Sequence, residues 1–226
     1  MLDKMLGFDK ETLDLFDGGV YCNGAVIKTI KINTYNYISA EVTKATVEQV
    51  NSYPDVHIAL HLTNDYHSFN HYLPDYMLGP WGLEREEILP LDESAFTSAA
   101  KMIIYYEYLV DANQFLPEQL YKDIMATSAC NANIYLQDKG KTIQIAAKNI
   151  SKLSAIKEIA QVYSFSDDEI AVFGDDINDN EMLSWFKNSV AMGNAVPEVK
   201  EISTYVTHSN DSDGISYALE HILKVI

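Results

Sequence analysis

The spacing of hydrophobic residues changes character near residue 148, and the chain beyond that point has a regular alternation of helical and strand patterns. Residues 170–173 form an uninterrupted apolar run, which is typical of a strand buried on both faces. Further strands are predicted at 189–192 and 205–207, and helices at 151–163, 180–185, 197–202 and 215–225. Alternation of this kind predicts a parallel sheet with helices on its faces.

The stretch from residue 29 to residue 146 has a different pattern of short alternating segments and amphipathic helices. Strands are predicted at 30–32, 57–62 and 102–110, and helices at 42–50, 94–102 and 117–125. A hairpin is predicted around Asp138-Lys-Gly140. Residues 18–27 are predicted to be one strand that enters a loop at Asn23-Gly24. The middle of the chain is therefore expected to be an α+β unit.

A cluster of polar residues follows the apolar run at 170–173. Gly174 turns the chain, and Asp175, Asp176, Asn178 and Asp179 come next. Open α/β sheets bind their ligands at this end of a strand. Carboxylates crowded into one loop repel each other unless a cation neutralises them, and oxygen ligands favour a hard ion such as Mg²⁺. The alternative is a polar turn that caps the next helix.

The sequence does not support a calcium loop or a zinc site. A calcium loop counted from Asp176 would place Glu181 where glycine is needed and Lys187 where glutamate is needed, so that interpretation fails. His67 and His71 have a spacing of four residues, but no carboxylate pattern nearby supports a zinc site. We expect the histidines to be packed or to face solvent.

Composition and charge narrow the classes of function. The chain has 226 residues, of which 47% are hydrophobic, enough for one large domain or two modest ones. Its 16 basic and 33 acidic residues give a net charge of -17, which argues against a nucleic-acid partner or an anionic membrane. The two cysteines suit a reducing cytoplasm, and neither a signal peptide nor a membrane span is expected.

The motifs from residue 148 to residue 223 resemble the Cof-like sugar-phosphate phosphatases of the haloacid dehalogenase superfamily. The matching pieces are Ser151-Lys152, Gly174-Asp-Asp-Ile-Asn-Asp-Asn-Glu-Met-Leu183, Val190-Ala-Met-Gly-Asn-Ala195, Glu198-Val-Lys200, Tyr205-Val-Thr207 and Asn210-Asp-Ser-Asp-Gly214. Asn23-Gly24-Ala25 is similar to the loop that precedes the large inserted cap of that family. The resemblance implies a parallel-sheet α/β core formed by residues 1–28 and 147–226, with residues 29–146 as an α+β cap.

The resemblance also implies hydrolysis of phosphate monoesters, with Mg²⁺ as the cofactor and small phosphorylated metabolites such as sugar phosphates as substrates. Lys152 would hold the phosphate, at a helix N-terminus that also attracts anions, with Asn178 as a donor. Asp175 would be a direct magnesium ligand. Asp179 would be a ligand or the partner of one, and Asp176 is a weaker candidate. Asn194 and Asn210 are weak candidates for ligands.

The nucleophile motif of the family, Asp-x-Asp-Gly-Thr after an apolar strand, does not occur in this sequence. The stretch around Asp9 imitates it poorly, because it lacks the glycine and follows no strand. We therefore expect a core that is incomplete at its N-terminal side and a chain that is a very poor phosphatase by itself. A mutase of the same superfamily would need the same nucleophile. The alternative from another class is a non-catalytic module that binds a sugar phosphate or a partner protein.

An incomplete sheet has a structural consequence. Buried backbone groups without partners cost about 1–3 kcal/mol each, against a total stability of about 5–15 kcal/mol. We expect a rearranged core, pairing of two chains through the exposed edge, or a sequence that is part of a longer protein.

Overall fold

A computed structural model describes residues 10–106 and 114–225 of the chain. The chain forms two compact units, which divide between Ile150 and Ser151. Each unit contains its own cluster of buried hydrophobic residues. Asp9, the poor match to a nucleophile, lies outside the described residues.

The first unit begins with a short helix, α1 (Lys10–Leu13), and a small antiparallel sheet. The sheet contains β1 (Gly18–Tyr21), β2 (Val26–Thr29) and β3 (Asn33–Tyr35), in that order. The single strand predicted at 18–27 is thus two strands, separated by a tight turn over Cys22–Gly24. All three residues of this turn have positive φ angles, of 55°, 56° and 100° in chain order. A strand cannot pass through such a conformation.

The prediction of a strand at residues 30–32 was wrong. These residues form the turn between β2 and β3, where the hydroxyl oxygen of Thr29 accepts the backbone N–H groups of Lys31 at 3.2 Å and Ile32 at 3.0 Å. A threonine side chain that bonds to the following backbone stabilises a turn in place of a ladder. The apolar pattern alone gave no sign of this bond.

A larger antiparallel sheet forms most of the first unit. Its strands lie in the order β5-β4-β6-β8-β7. They are β4 (Val56–His61), β5 (His67–Phe69), β6 (Lys101–Tyr106), β7 (Ala132–Gln137) and β8 (Thr142–Ala147). The helices of this unit are α2 (Ala40–Asn51), α3 (Asp75–Trp81), α4 (Glu93–Thr97) and α5 (Glu118–Ser128). The expected α+β character of this stretch is confirmed.

The two long helices of the first unit share its core with the larger sheet. Val47 and Val50 of α2 and Leu120 and Ile124 of α5 belong to one buried cluster with sheet residues such as Ile104. The apolar spacing of three and four residues places those side chains on one face of each helix. The helix predicted at 94–102 is shorter than expected, because α4 ends at Thr97 and β6 begins at Lys101.

The second unit is a three-stranded parallel sheet with helices, as the alternating pattern predicted. Its strands are β9 (Ala171–Gly174), β10 (Asn188–Ala191) and β11 (Tyr205–Val206), with β10 in the centre. Its helices are α6 (Lys152–Tyr163), α7 (Asn180–Trp185), α8 (Pro197–Ile202) and α9 (Gly214–Tyr217). The helix predicted at 215–225 changes character after α9 and continues as one π turn, Ala218–Ile222.

Buried residues from both the strands and the helices fill the core of the second unit. Val172 of β9 and Ala191 of β10 pack with Leu183 of α7, Phe186 and Val199 of α8. Within the described residues β9 forms ladder bonds with β10 alone and is an edge of its sheet.

The two units of the structure and the two domains expected from the sequence have different boundaries. Residues 1–28 were assigned to the same domain as residues 147–226, whereas the small sheet of β1, β2 and β3 belongs to the first unit of the structure. The assignment of these residues to a family core stays a prediction. In the part of the chain that the structure describes, no helix is long and apolar enough to cross a membrane.

Candidate active site

The acidic loop begins where β9 ends, and Gly174 allows its sharp turn. A Cβ atom added to Gly174 would lie 2.6 Å from Cβ and 2.7 Å from Cγ of Asp179. Real Cβ atoms do not approach other side chains so closely, so a larger residue would displace Asp179. Glycine at this position lets the Asp179 carboxylate fold back against the end of the strand.

Asp179 is the buried centre of this loop, with 2% of its surface exposed. One carboxylate oxygen, Oδ2, accepts the backbone N–H of Asp175 at 3.1 Å and that of Asp176 at 3.3 Å. The other, Oδ1, lies 2.5 Å from Nζ of Lys152. A carboxylate that is buried needs such donors, because an unpaired buried charge is strongly unfavourable. Asp179 therefore fixes both the loop and the lysine.

Lys152 is the first residue of α6, and the sequence explains why the helix starts there. The hydroxyl of Ser151 accepts the backbone N–H of Ser154, and the hydroxyl of Ser154 accepts the N–H of Ser151 at 2.9 Å. This reciprocal capping satisfies two helix N–H groups. The Lys152 side chain is 33% exposed, so its ammonium group pairs with Asp179 and also reaches solvent.

Asp175 has a different environment from Asp179, because it is exposed. Its Oδ2 accepts a hydrogen bond from the side-chain amide of Asn194 at 3.1 Å. The amide oxygen of Asn194 in turn accepts the backbone N–H of Asn210 at 3.1 Å. The two asparagines that the sequence offered only as weak candidates thus orient Asp175, and the loops that follow β9, β10 and β11 meet at this carboxylate.

Asp176 and Asn178 belong to the turn between β9 and α7. The carboxylate of Asp176 accepts the backbone N–H of Ile177 at 2.8 Å, and its carbonyl oxygen accepts the N–H of Asp179 at 2.9 Å. Asn178 lies half-buried in the single helical turn Ile177–Asp179. The turn-forming alternative therefore describes the local role of Asp176 well.

The oxygen donors of the acidic loop meet only some of the requirements of a magnesium ion. The described part of the chain contains no group of three or more His, Cys, Asp or Glu side chains arranged to hold a metal. Both oxygens of Asp179 already accept N–H donors, whereas Asp175 is exposed. Mg²⁺ keeps several waters and is often held by one or two carboxylates. The residues present fit a hydrated ion at Asp175, and they do not form a complete cage.

Comparison with known proteins places the chain in a family. The haloacid dehalogenase-like hydrolase profile matches residues 6–219. The chain belongs to the haloacid dehalogenase-like hydrolases. The match covers both units, so the resemblance seen in the motifs after residue 148 extends over nearly the whole sequence.

Individual relatives agree with this membership. The chain is 36% identical over 82 residues to the 5-amino-6-(5-phospho-D-ribitylamino)uracil phosphatase YwtE of Bacillus subtilis. The matched stretch is 36% of this chain and 29% of YwtE. The chain is 35% identical over 80 residues to the phosphatase YwpJ of the same organism. That matched stretch is 35% of this chain and 28% of YwpJ. The matched stretches therefore span less than a third of either relative.

Solved structures of this superfamily share the fold. The subclass IIB sugar phosphatase BT4131 superimposes with a TM-score of 0.75 at 23% identity, covering 99% of this chain and 80% of that chain. At this identity the likeness is one of fold. It confirms the α/β core with an α+β unit that the sequence predicted for a haloacid dehalogenase-like hydrolase.

Proposed function

We propose that this chain carries the cation- and phosphate-binding part of a magnesium-dependent phosphatase that acts on small phosphorylated metabolites such as sugar phosphates. The observation that carries the proposal is the pairing of Lys152 with Asp179 beside the exposed Asp175. Family membership and the names of the relatives support the reaction class. The sugar-phosphate class is itself a proposal.

Each residue of the loop has a role in this proposal. Lys152 neutralises one charge of the phosphoryl group, aided by its position at the N-terminus of α6. Asn178 donates an amide hydrogen bond to a phosphate oxygen. Asp175 is the direct ligand of the ion, oriented by Asn194. Asp179 acts mainly through Lys152, because both of its oxygens accept N–H groups.

A magnesium ion bound at Asp175 would supply positive charge that polarises the phosphoryl oxygens and favours nucleophilic attack. Lys152 would supply a second positive charge. Asp176 stabilises the turn that presents Asp175, and the bonds to Asp179 keep that turn rigid before substrate binds. Rigid placement of charge is the main contribution that such a loop makes to phosphoryl transfer.

The proposal includes a very low activity for the 226-residue chain by itself. The family reaction passes through an aspartyl phosphate, and the sequence contains no Asp-x-Asp-Gly-Thr segment to provide the nucleophile. Removing a covalent nucleophile from a catalytic group costs on the order of a million-fold in rate, since the other residues act in concert with it.

The experiment measures release of inorganic phosphate from a panel of sugar phosphates by the purified chain, with Mg²⁺ or with EDTA. We expect slow release that requires Mg²⁺ and is lost in Lys152→Gln and Asp175→Asn. The matched control is Glu201→Gln, which removes an exposed carboxylate from α8 of the same unit. Turnover at ordinary enzyme rates of about 1–10³ s⁻¹ would contradict the impairment, and Mg²⁺-dependent release that Asp175→Asn leaves unchanged would contradict the site.

The second candidate is a non-catalytic module that binds a phosphorylated sugar or a partner protein. It is favoured by the presence of the binding loop in a sequence without the nucleophile segment. The two functions differ in their dependence on Asp175. If the module alone is correct, Asp175→Asn leaves binding of the organic ligand largely intact and no hydrolysis occurs in any variant.

A further inference from the structure

The loop that follows β10 holds Asp175 at two points. Asn194 donates its side-chain amide to Oδ2 of Asp175 at 3.1 Å. The backbone N–H of Val196 donates to the carbonyl oxygen of Asp175 at 3.0 Å. Residues 193–196, which we call the clamp loop, therefore fix both the main chain and the side chain of the aspartate that we propose as the direct ligand of the ion.

The clamp loop packs closely against the loop that follows β11. The N–H of Gly193 donates to the carbonyl oxygen of His208 at 2.9 Å. The side-chain oxygen of Asn194 accepts the N–H of Asn210 at 3.1 Å. A Cβ atom at Gly193 would lie 2.5 Å from the backbone nitrogen of Ser209, so the two loops approach to a distance that only glycine permits. The position of Asn194 therefore depends on that of the adjacent Gly193.

Lys200 of α8 reaches back to the start of the clamp loop. Its Nζ donates a hydrogen bond to the carbonyl oxygen of Gly193 at 2.6 Å, across seven positions of the chain. Lys200 is half-buried, and its backbone N–H bonds to the carbonyl oxygen of Val196 at 3.3 Å. A hydrogen bond from an ionised donor is stronger than one between neutral groups. The first and the last residue of the clamp loop are thus both bonded to this lysine.

We propose that Lys200 is a positioning residue of the magnesium site and keeps the clamp loop in the shape that orients Asp175. This role rests on the proposed function, because it takes Asp175 as the direct ligand of the ion. Removing a group that orients a metal ligand commonly costs about 10–100-fold in metal affinity. Lys200 acts on Asp175 through Gly193 and Asn194, and it need not contact the ion.

The alternative is that Lys200 only stabilises the second unit. A lysine with that role contributes to the free energy of unfolding, and its loss leaves the Mg²⁺ affinity of the folded chain unchanged. A positioning lysine also changes the affinity, because a loop that holds its binding shape for a smaller fraction of the time binds more weakly by the same factor.

The test titrates Mg²⁺ into the full chain in the presence of inorganic phosphate, by calorimetry. Lys200→Met removes the donor and keeps an apolar side chain of similar length, and we expect the dissociation constant to rise about tenfold. Lys200→Arg keeps a charged donor and should restore most of the affinity. The matched control is Lys148→Met, since Nζ of Lys148 donates to the carbonyl oxygen of Ala129 at 3.0 Å in the first unit. It should bind Mg²⁺ as the wild type does.

Amide hydrogen exchange in the metal-free chain is a second readout. In Lys200→Met the N–H groups of Val196 and Asn210 should exchange about tenfold faster, because both donate to groups that the clamp loop positions. The N–H of Phe186, which bonds to the carbonyl oxygen of Met182 at 3.1 Å, should exchange at the wild-type rate. Equally faster exchange at all three sites would mean that Lys200 only stabilises the unit, and would overturn the proposal.

Two results distinguish a failure of this role from a failure of the magnesium site. Saturable Mg²⁺ binding by the wild type, with the same dissociation constant in Lys200→Met, would overturn the role of Lys200 and leave the site at Asp175 intact. Absence of Mg²⁺ binding by the wild type would contradict the site itself, and the role of Lys200 with it.

Discussion

Nζ of Lys152 lies 2.5 Å from Oδ1 of Asp179, although the two residues are 27 positions apart in the sequence. The lysine begins a helix and the aspartate ends a loop, so the contact joins α6 to the carboxyl end of β9. An ion pair between a buried carboxylate and a partly exposed ammonium group fixes the lysine at the loop that carries the exposed Asp175. This relationship is the physical basis of the proposed phosphate site.

Asp179→Asn should destabilise the second unit. The amide keeps the size of the side chain, but it leaves Lys152 without its anion and exchanges a charged acceptor for a neutral one at the N–H groups of Asp175 and Asp176. We expect a loss of about 2–4 kcal/mol in the free energy of unfolding, measured by urea denaturation. Glu201→Gln should change it by less than about 0.5 kcal/mol. Equal stability of the Asp179→Asn chain and the wild type would show that the pair contributes nothing.

Gly174→Ala should disturb the same loop from the strand side. The new methyl group would lie 2.6 Å from Cβ of Asp179, so either the strand end or the carboxylate must move. A cost of about 1–3 kcal/mol is expected by analogy with other overpacked sites. Gly79→Ala is the matched control, because a Cβ at that helical glycine meets nothing within 4 Å. A Gly174→Ala chain as stable as wild type would contradict the described fit.

The stability of the first unit should fall as the pH is lowered from about 6.5 toward 4.5. Burial, followed by the charge of a neighbouring histidine, lowers the pKa of His67 to about 3 and that of His71 to about 4. The unfolded chain binds these protons near pH 6.5, whereas the folded chain binds them only at lower pH. Protonation therefore favours unfolding throughout this interval, above the range in which most carboxylates titrate.

Urea midpoints at pH 7 and pH 5 measure this effect. His71→Gln should reduce the difference between the two midpoints, because it removes one of the two histidines. The matched control is His221→Gln, which removes an exposed histidine from the second unit. A midpoint that is the same or higher at pH 5 would contradict the assignment of neutral histidines in the fold.

Two chains should pair through the open edge of β9. In the described residues this strand forms ladder bonds on one side only, and a groove of about 530 Å³ beside it is lined mainly by apolar residues, including Ile156, Phe165 and Ile170. Unpaired strand edges favour association with another strand. Light scattering should give the mass of a dimer, and Ala171→Lys should reduce it to a monomer. The control is Ala126→Lys on an exposed face of α5, and a wild-type monomer would refute the pairing.

The second unit was predicted well from the sequence because each of its elements carries a local signal. The observed bounds of α7 and α8, Asn180–Trp185 and Pro197–Ile202, are those predicted from the sequence. The helix predicted at 151–163 is α6, Lys152–Tyr163, with Ser151 as its cap. The prediction failed at residues 30–32, where a side-chain bond from Thr29 decides the conformation and no pattern reveals it.

Contacts between residues that are distant in the sequence were harder to predict than the helices and strands. Local spacing supported an acidic loop, and the role of Lys152 depended on a family resemblance. The pair of His61 and Asp65 had no signal at all, because one residue ends a strand and the other lies in a turn. Two consecutive left-handed turn residues, Asn64 and Asp65, bring that pair together, and hydrophobic periodicity does not record such conformations.

The most direct measurement of the central claim is a calorimetric titration of Mg²⁺ into the chain in the presence of inorganic phosphate. The account predicts saturable binding by the wild type and by Glu201→Gln, and loss of that binding in Asp175→Asn and Lys152→Gln. Identical binding by the wild type and Asp175→Asn, or no binding by the wild type, would contradict it.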